Sequence, residues 1–291
     1  MKPEEPGAGG AAPLLSIVTV CFNSARTIGQ TLQSVDFALI DQAEVEHVIV
    51  DGKSTDQTLD IVASHSRAMR RLFSERDTGI YAGMNKGLRI ARGEYVWFLN
   101  SDDYLHPALR ARWQAMLTIL RERRSPVLVG EVQMFKEVSG DMVPTRYWRA
   151  PKNPERARRL GWHPPHPAFV ADREFLLKLG GFDESKRIAA DIKLMEQAMA
   201  AIGGRASAFP HVLVAMREGG VSNKSIRSIM NANRECYVSL RELGVSTPKA
   251  AMIILAKLMR KAGQKLLPAR GLGADLATSL PPATSPAGRP D

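Results

Sequence analysis

Along the N-terminal third of the chain, short apolar runs alternate with segments whose apolar residues recur at helical spacing. Leu14–Phe22 is predicted as a buried strand, and Asn23-Ser24 as the cap of a helix with Ile28, Leu32 and Val35 on one face. Val45–Val50 is the next strand, and Ser54-Thr-Asp56 opens a helix bearing Leu59, Ile61 and Val62. A short strand at Leu72-Phe73 leads into Asp77–Tyr81 and a helix through Met84, Leu88 and Ala91, which stops at Arg92-Gly93. Tyr95–Leu99 crowds β-branched and aromatic residues and is again a strand. Alternation at this pitch implies right-handed crossovers and a largely parallel sheet.

Farther along, the pattern loosens. It predicts a helix over 107–122, a strand at Val127–Gly130, a hairpin about Gly140 and a basic stretch from Arg146 to Arg159. Pro164–Phe169 is irregular and then extended, and Asp172–Leu179 is a short helix closed by Gly180-Gly181. Asp191 starts another helix, and Ala208–Met216 is the last strand. Residues 222–267 read as a helical extension, 1–13 as a flexible leader, and 268–291 as a disordered Pro/Ala/Ser/Gly-rich tail.

Asn100-Ser-Asp-Asp103 falls at the carboxyl edge of the predicted sheet, where open α/β proteins bind ligands. Adjacent carboxylates repel one another unless a cation or a donor-rich ligand lies between them. The plainer alternative is a turn in which Asp102 or Asp103 caps the helix of 107–122. Asp51 and Asp77 end two other predicted strands in the same way. A G-x-x-x-x-G-K-[ST] phosphate loop and a G-x-G-x-x-G dinucleotide motif are both absent. A sheet edge offering carboxylates suits base N–H groups, ribose hydroxyls and a Mg²⁺ or Mn²⁺ ion against a diphosphate, which is the chemistry of a nucleotide-sugar.

Composition narrows this further. The net charge of +10 is concentrated, since residues 203–270 carry twelve Lys/Arg against three Glu. The first two-thirds is close to neutral, which argues against nucleic-acid binding and toward a basic C-terminal surface that meets something anionic. Two distant cysteines, Cys21 and Cys236, indicate neither a zinc site nor a disulfide framework, and they fit a reducing compartment. No apolar stretch reaches the roughly 18–20 residues needed to span a bilayer. In Ala250–Leu267, Lys257, Arg260, Lys261, Gln264 and Lys265 form one stripe, and Ala251, Ile254, Leu255, Leu258, Ala262 and Leu266 another. The helix of 248–267 is either a membrane-surface element or a helix packed on the domain with a solvated basic face.

Five separate stretches share one order and spacing with a known family. They are Ser16-Ile-Val-Thr-Val-Cys-Phe-Asn23, Val50-Asp-Gly-Lys-Ser-Thr-Asp-Gln-Thr58, Ser74-Glu-Arg-Asp-Thr-Gly-Ile-Tyr81, Met84-Asn-Lys-Gly87 and Leu99-Asn-Ser-Asp-Asp103. His166-Pro-Ala-Phe169, Gly181-Phe-Asp183, Ala190-Asp191 and Gly219-Gly-Val-Ser222 extend the likeness to about residue 222. The chain resembles the family 2 glycosyltransferases, and most of all those that build bacterial exopolysaccharide, colanic-acid-like or O-antigen repeats. The resemblance implies a single α/β domain of the GT-A type over 14–221, with a mostly parallel mixed sheet flanked by helices. Residues 14–103 would be its nucleotide half and 104–221 its acceptor half.

By the same resemblance, Thr19, Cys21, Asn23, Asp51, Ser54 and Asp77 would hold the nucleoside, and Asn85 and Lys86 the base or diphosphate. Asp102 would take the ribose or a metal-bound water, and Asp103 the Mg²⁺ or Mn²⁺ ion. Asp191 would be the general base of an inverting transfer, although it also reads as a helix N-cap. His166 and Trp162 are acceptor-side candidates; a proline-flanked histidine and a packed indole are the plainer readings. The implied partners are a UDP- or GDP-sugar and a glycan or polyprenyl-diphosphate-linked acceptor, at the cytoplasmic face of the plasma membrane. Two departures stand out: Lys193 occupies a position that is often acidic, and Gly83 one where an aspartate is common. A sugar-phosphate nucleotidyltransferase and a non-catalytic nucleotide-sugar-binding scaffold are the competing readings.

Overall fold

The computed structural model describes residues 12–266, apart from 40–42, 124, 140, 160–161, 204 and 220–225. Residues 1–11 of the predicted leader, the predicted tail, and the Gly220–Ser222 part of the last motif therefore lie outside the described residues. β1 (Leu15–Cys21) is buried at every position, because it has a strand on each side and a helix layer on each face. Its alternation sorts those faces: Leu15 and Ile17 join one core cluster, while Val18 and Val20 join the other.

The part expected to be the nucleotide half runs β1, α1 (Ile28–Ala38), β2 (Val45–Asp51), α2 (Thr58–Ser64), β3 (Arg70–Ser74), α3 (Ile80–Ile90) and β4 (Tyr95–Phe98). All of its strand pairs are parallel, as the alternation predicts. After it come β5 (Tyr104–Leu105), α4 (Trp113–Arg121), β6 (Val127–Val138), β7 (Asp141–Trp148) and α5 (Pro154–Arg159). Then follow β8 (Phe169–Asp172), α6 (Arg173–Lys178), α7 (Ala190–Ala201) and β9 (Ser207–Arg217). The strand order is β3-β2-β1-β4-β8-β6-β9-β5, with β7 paired to β6. β8, β7 and β5 run antiparallel to their neighbours, so the second half is mixed.

α3 lies flush on β1 because of two glycines. A Cβ on Gly83 would stand 2.4 Å from Val20, and one on Gly87 2.4 Å from Val18. A side chain at position 83 would therefore force Val20 to shift. The helix expected over 107–122 divides into a 3₁₀ turn, Pro107–Arg112, and α4. His106 caps that turn by accepting from the Ala108 N–H, so the cap reading of Asp102-Asp103 is set aside. Asn23-Ser24 do not cap α1 with their side chains either; Thr27 precedes it.

The extension is helical as expected, in α8 (Ile226–Glu242) and α9 (Thr247–Leu266). α8 packs on α7 and α9 on α8, through a cluster of Ala189, Cys236, Leu240 and Ala250 joined by Ile253 and Ile254. The predicted apolar stripe thus divides. Ile254 faces inward, whereas Leu255 and Leu258 join Met252 and Met259 as exposed apolar residues. The side chains of Arg260, Lys261, Ala262, Gln264, Lys265 and Leu266 lie outside the described residues.

Candidate active site

Two cavities open along the carboxyl edge of the sheet and meet. One, of about 920 Å³, has Cys21, Asn23, Asp77, Asp102 and Asp103 on its wall. The other, of about 590 Å³, is bounded by Trp148, Trp162, His163, Pro164 and residues of α7, α8 and α9. Asn100, His166, Ile188, Asp191 and Met216 belong to both. Thr19, Asp51, Ser54, Asn85 and Lys86 are not among the described residues on the larger wall.

Each of those five has a reason to point elsewhere. Thr19 sits mid-strand at an odd position of β1, fully buried, and its hydroxyl pairs with His47 at 3.0 Å. Asp51 is also fully buried. One of its oxygens accepts from the Cys21 thiol and Ser54 hydroxyl, the other from the Lys53 and Ser54 N–H groups and the Ser74 hydroxyl. Asp51, expected to take a base N–H, is in this structure the hub of the loop that frames the cavity. Asn85 spans between α3 and the Gly181-Phe182 turn, donating to the Phe182 carbonyl and Glu184 and accepting from the Phe182 N–H. Lys86 is ion-paired with Glu75.

The residues that do face the cavity form two groups. Asn23 adopts a left-handed backbone, and its side-chain oxygen accepts from the Thr55 N–H, which joins the two loops. Asp77 accepts from the Gly79 N–H, and burial followed by the charge of Asp51 raises its pKa. Cys21 is buried, and its thiol is pushed far up by that burial and by Asp51. At the other side, Asp102 is half-buried and Asp103 is 1% exposed. The Asp103 oxygens accept from Asn100 Nδ2 at 3.0 Å and from the Arg217 N–H at 3.1 Å. Burial, then Asp102, pushes its carboxyl up to about 8.

That electrostatic state suits a divalent ion. Mg²⁺ and Mn²⁺ need only one or two protein carboxylates when substrate phosphates complete the shell. Among the described residues no group of three or more His, Cys, Asp or Glu forms a full cage. Asp102 and Asp103 together are therefore the donor set that fits, and each Asp103 oxygen keeps a lone pair beyond its N–H contact.

Asp191 stands where the cavities join, in the first turn of α7. Its Oδ1 accepts from the Tyr81 hydroxyl at 3.3 Å, and the N-cap of the helix is Ala189. The N-cap reading of Asp191 is corrected accordingly. Tyr81 is raised by burial and by Asp191, so it remains a neutral donor. His166 stacks on Phe98 and meets Phe182 edge-on; burial lowers its pKa against the pull of Asp191. Trp162 is buried and borders only the smaller cavity.

Several wall residues carried no sequence signal of their own. Arg26, Arg187 and Arg217 line the larger cavity, and Arg217 is held there by Glu137, Tyr104 and Gln30. Tyr81 lies in a quoted motif, yet its contact to Asp191 spans 110 positions.

The family model "Glycosyl transferase family 2" matches residues 16–171. An uncharacterized glycosyltransferase of Mycobacterium tuberculosis is 33% identical over 184 residues, covering 62% of this chain and 67% of that protein. A poly(ribitol-phosphate) beta-glucosyltransferase of Bacillus spizizenii is 30% identical over 44% of this chain, and a PGL/p-HBAD biosynthesis glycosyltransferase of Mycobacterium bovis is 40% identical over 34%. The chain spans only 22% and 39% of those two proteins. S. aureus TarS in complex with UDP-GlcNAc superposes with a TM-score of 0.63 at 23% identity, over 84% of this chain and 71% of that one. A Pyrobaculum calidifontis mannosyltransferase with GDP-Man and Mn²⁺ superposes at 0.56 and 20% identity, over 87% and 71%. Matched over more than half its length, and folded as the GT-A enzymes are, the chain belongs to glycosyl transferase family 2.

Proposed function

We propose that this protein is an inverting, metal-assisted glycosyltransferase that moves a sugar from a UDP- or GDP-sugar to a hydroxyl of a glycan or lipid-linked acceptor, in bacterial surface polysaccharide synthesis. The observation that carries this reading is the place of Asp191, at the junction of a larger polar cavity and a smaller aromatic one. The larger cavity takes the nucleotide, with the exposed ring of Phe22 available to a base and Arg26 and Arg187 to the diphosphate, while the Arg217 guanidinium is held by Glu137, Tyr104 and Gln30. Asp102 and Asp103 would hold Mg²⁺ or Mn²⁺, which offsets charge on the leaving diphosphate. Asp191 accepts the acceptor hydroxyl proton as that oxygen bonds to the anomeric carbon. The anomeric C–O bond breaks on the opposite face, its electron pair leaves with the nucleoside diphosphate, and configuration inverts. Tyr81 orients the Asp191 carboxylate by donating to it.

The smaller cavity takes the acceptor. Its walls combine Trp148, Trp162 and Met195 with Arg146, Arg149 and Lys257, a set that suits a sugar or prenyl chain bearing a phosphate. The exposed apolar residues of α9 lie beside that cavity, since Lys257 and Leu258 are on its wall. This helix meets an anionic membrane surface with those residues, at the inner face of the plasma membrane. No described helix is long and apolar enough to cross a membrane.

Asp191→Asn tests the central assignment. General-base loss predicts a fall in turnover of about 10²- to 10⁴-fold, with UDP or GDP affinity in Mn²⁺ unchanged by calorimetry. Unchanged turnover removes Asp191 from its role. Binding of UDP and GDP with no transfer to any acceptor by the unaltered protein would favour the scaffold reading.

A further inference from the structure

The loop that delivers Asp191 to the cavity junction is held from outside the region that the family model matches. Residues 187–189 enter α7, and Ile188 and Asp191 line both cavities. The cap of α7, Ala189, makes no side-chain capping bond of its own. Instead the Glu235 carboxylate, on α8, accepts the backbone N–H groups of Arg187 at 3.4 Å, Ile188 at 2.8 Å and Ala189 at 3.0 Å. One turn-pair farther along the same helix face stands Glu242. Its two oxygens accept from Lys186 and Lys193, each at 2.7 Å. Lys193 also donates to Asp183 at 2.7 Å. Between these polar anchors, Ala189 and Ile192 pack against Cys236 and Leu240.

Lys193 is the position where the sequence departs from the acidic residue common in the family, and the structure gives that departure a partner in Glu242. The two carboxylates grip the 186–193 segment near its start, in its middle and at its end. A loop carrying a base needs such restraint, because a displacement of the order of 1 Å from reacting geometry costs up to about 100-fold in rate.

We propose that Glu235, supported by the Glu242–Lys193 pair, is the positioning residue for Asp191, so that α8 belongs to the transfer machinery and is more than an appendage. The proposal rests on the reading of Asp191 as the base. Neither carboxylate touches substrate in this scheme. They set where the Asp191 carboxylate stands between donor and acceptor.

The test uses the full chain with Glu235→Gln, Glu235→Ala, Lys193→Met and Glu242→Gln. The expected result is a kcat lower by about 10- to 100-fold in Glu235→Ala, a smaller loss in Glu235→Gln, which keeps one acceptor oxygen, and an unchanged KM for donor. Backbone amides of 187–189 should exchange hydrogen for deuterium at least about tenfold faster in Glu235→Ala. Lys193→Met and Glu242→Gln should each lower kcat by less than Glu235→Ala does, again with donor KM unchanged. Unchanged exchange at 187–189 in Glu235→Ala overturns the clamp, whichever residue is the base. Faster exchange with kcat intact, or a loss in Glu235→Ala that falls on donor KM and not on kcat, overturns the positioning role. If Asp191→Asn keeps its turnover while the Glu235 variants behave as expected, it is the base assignment that fails and the clamp that stands.

Discussion

The two walls of the active-site cleft are built on different plans. The wall of the larger cavity, the donor wall in the proposed reading, comes from loops at the ends of neighbouring parallel strands, tied by bonds within and between those loops, with the buried carboxylate of Asp51 at their hub. The wall of the smaller cavity, the acceptor wall in that reading, is assembled from β7, the Trp162–Pro167 loop, α7, α8 and α9, and it is held by carboxylates reaching across from another helix. The difference teaches where rigidity resides. A buried hub carries its charge on local donors that fold with it, whereas the acceptor wall depends on helix docking. The first should fail as a unit, and the second should loosen locally.

Asp51→Ala should break the donor side outright. It strands donors from Cys21, Lys53, Ser54 and Ser74, of which the Cys21 thiol is buried, and leaving such a group unpaired costs on the order of 1–3 kcal/mol. Urea unfolding should show a lower midpoint with an unchanged slope. A midpoint within error of the parent protein, combined with lost nucleotide binding, would instead return Asp51 to the role of a base contact.

The acceptor side offers a gentler break, by acid. Hydrogen bonding to Lys193 and then Ser185 lowers the Asp183 carboxyl to about 2. Its folded value thus lies below the ordinary carboxylate value of about 4. The stability it contributes is present above that ordinary value and is lost as pH falls toward 2. Lys193→Met should flatten the stability profile across this acid window while leaving the profile near neutrality little steeper. An acid limb unchanged by the substitution would show that the pair contributes nothing.

The smallest effect on folding belongs to the apolar ridge of α9. Met252, Leu255 and Met259 are 52%, 58% and 66% exposed, so Met252→Glu/Leu255→Glu/Met259→Glu should leave the melting temperature nearly unmoved. Co-sedimentation with anionic phosphatidylglycerol vesicles should fall markedly. Full pelleting of the triple variant would mean that this face does not carry the membrane contact.

Much of the donor wall was legible in the residues themselves. Short apolar runs followed by Asn23, Asp77 and Asp102-Asp103 mark which segments reach the edge, since a strand's carboxyl end delivers the next loop to the cleft. Thr19 lies off the wall because a motif does not state depth: it sits mid-strand, bonded to His47, whereas Cys21, of the same parity, ends the strand at the cavity. Asn85 and Lys86 are engaged by partners from other segments, Phe182 and Glu75, which no local pattern announces. Family likeness marked Asp191, but nothing local showed that Tyr81 and Glu235 attend it.

The sequence by itself determined the βα alternation, the parallel nucleotide half, the helical extension and the identity of the acidic edge. These follow from local periodicity and from short turns that carry their own signals. Only the tertiary structure decided which carboxylates face the cleft and which are consumed in holding it, and where the extension docks. Asp51 and Asp103 look alike as residues after a strand, yet one is enclosed by donors from its own loops and the other borders a cavity beside Asp102. That distinction depends on donors brought together across long sequence separations, and such neighbours exist only once the chain has folded.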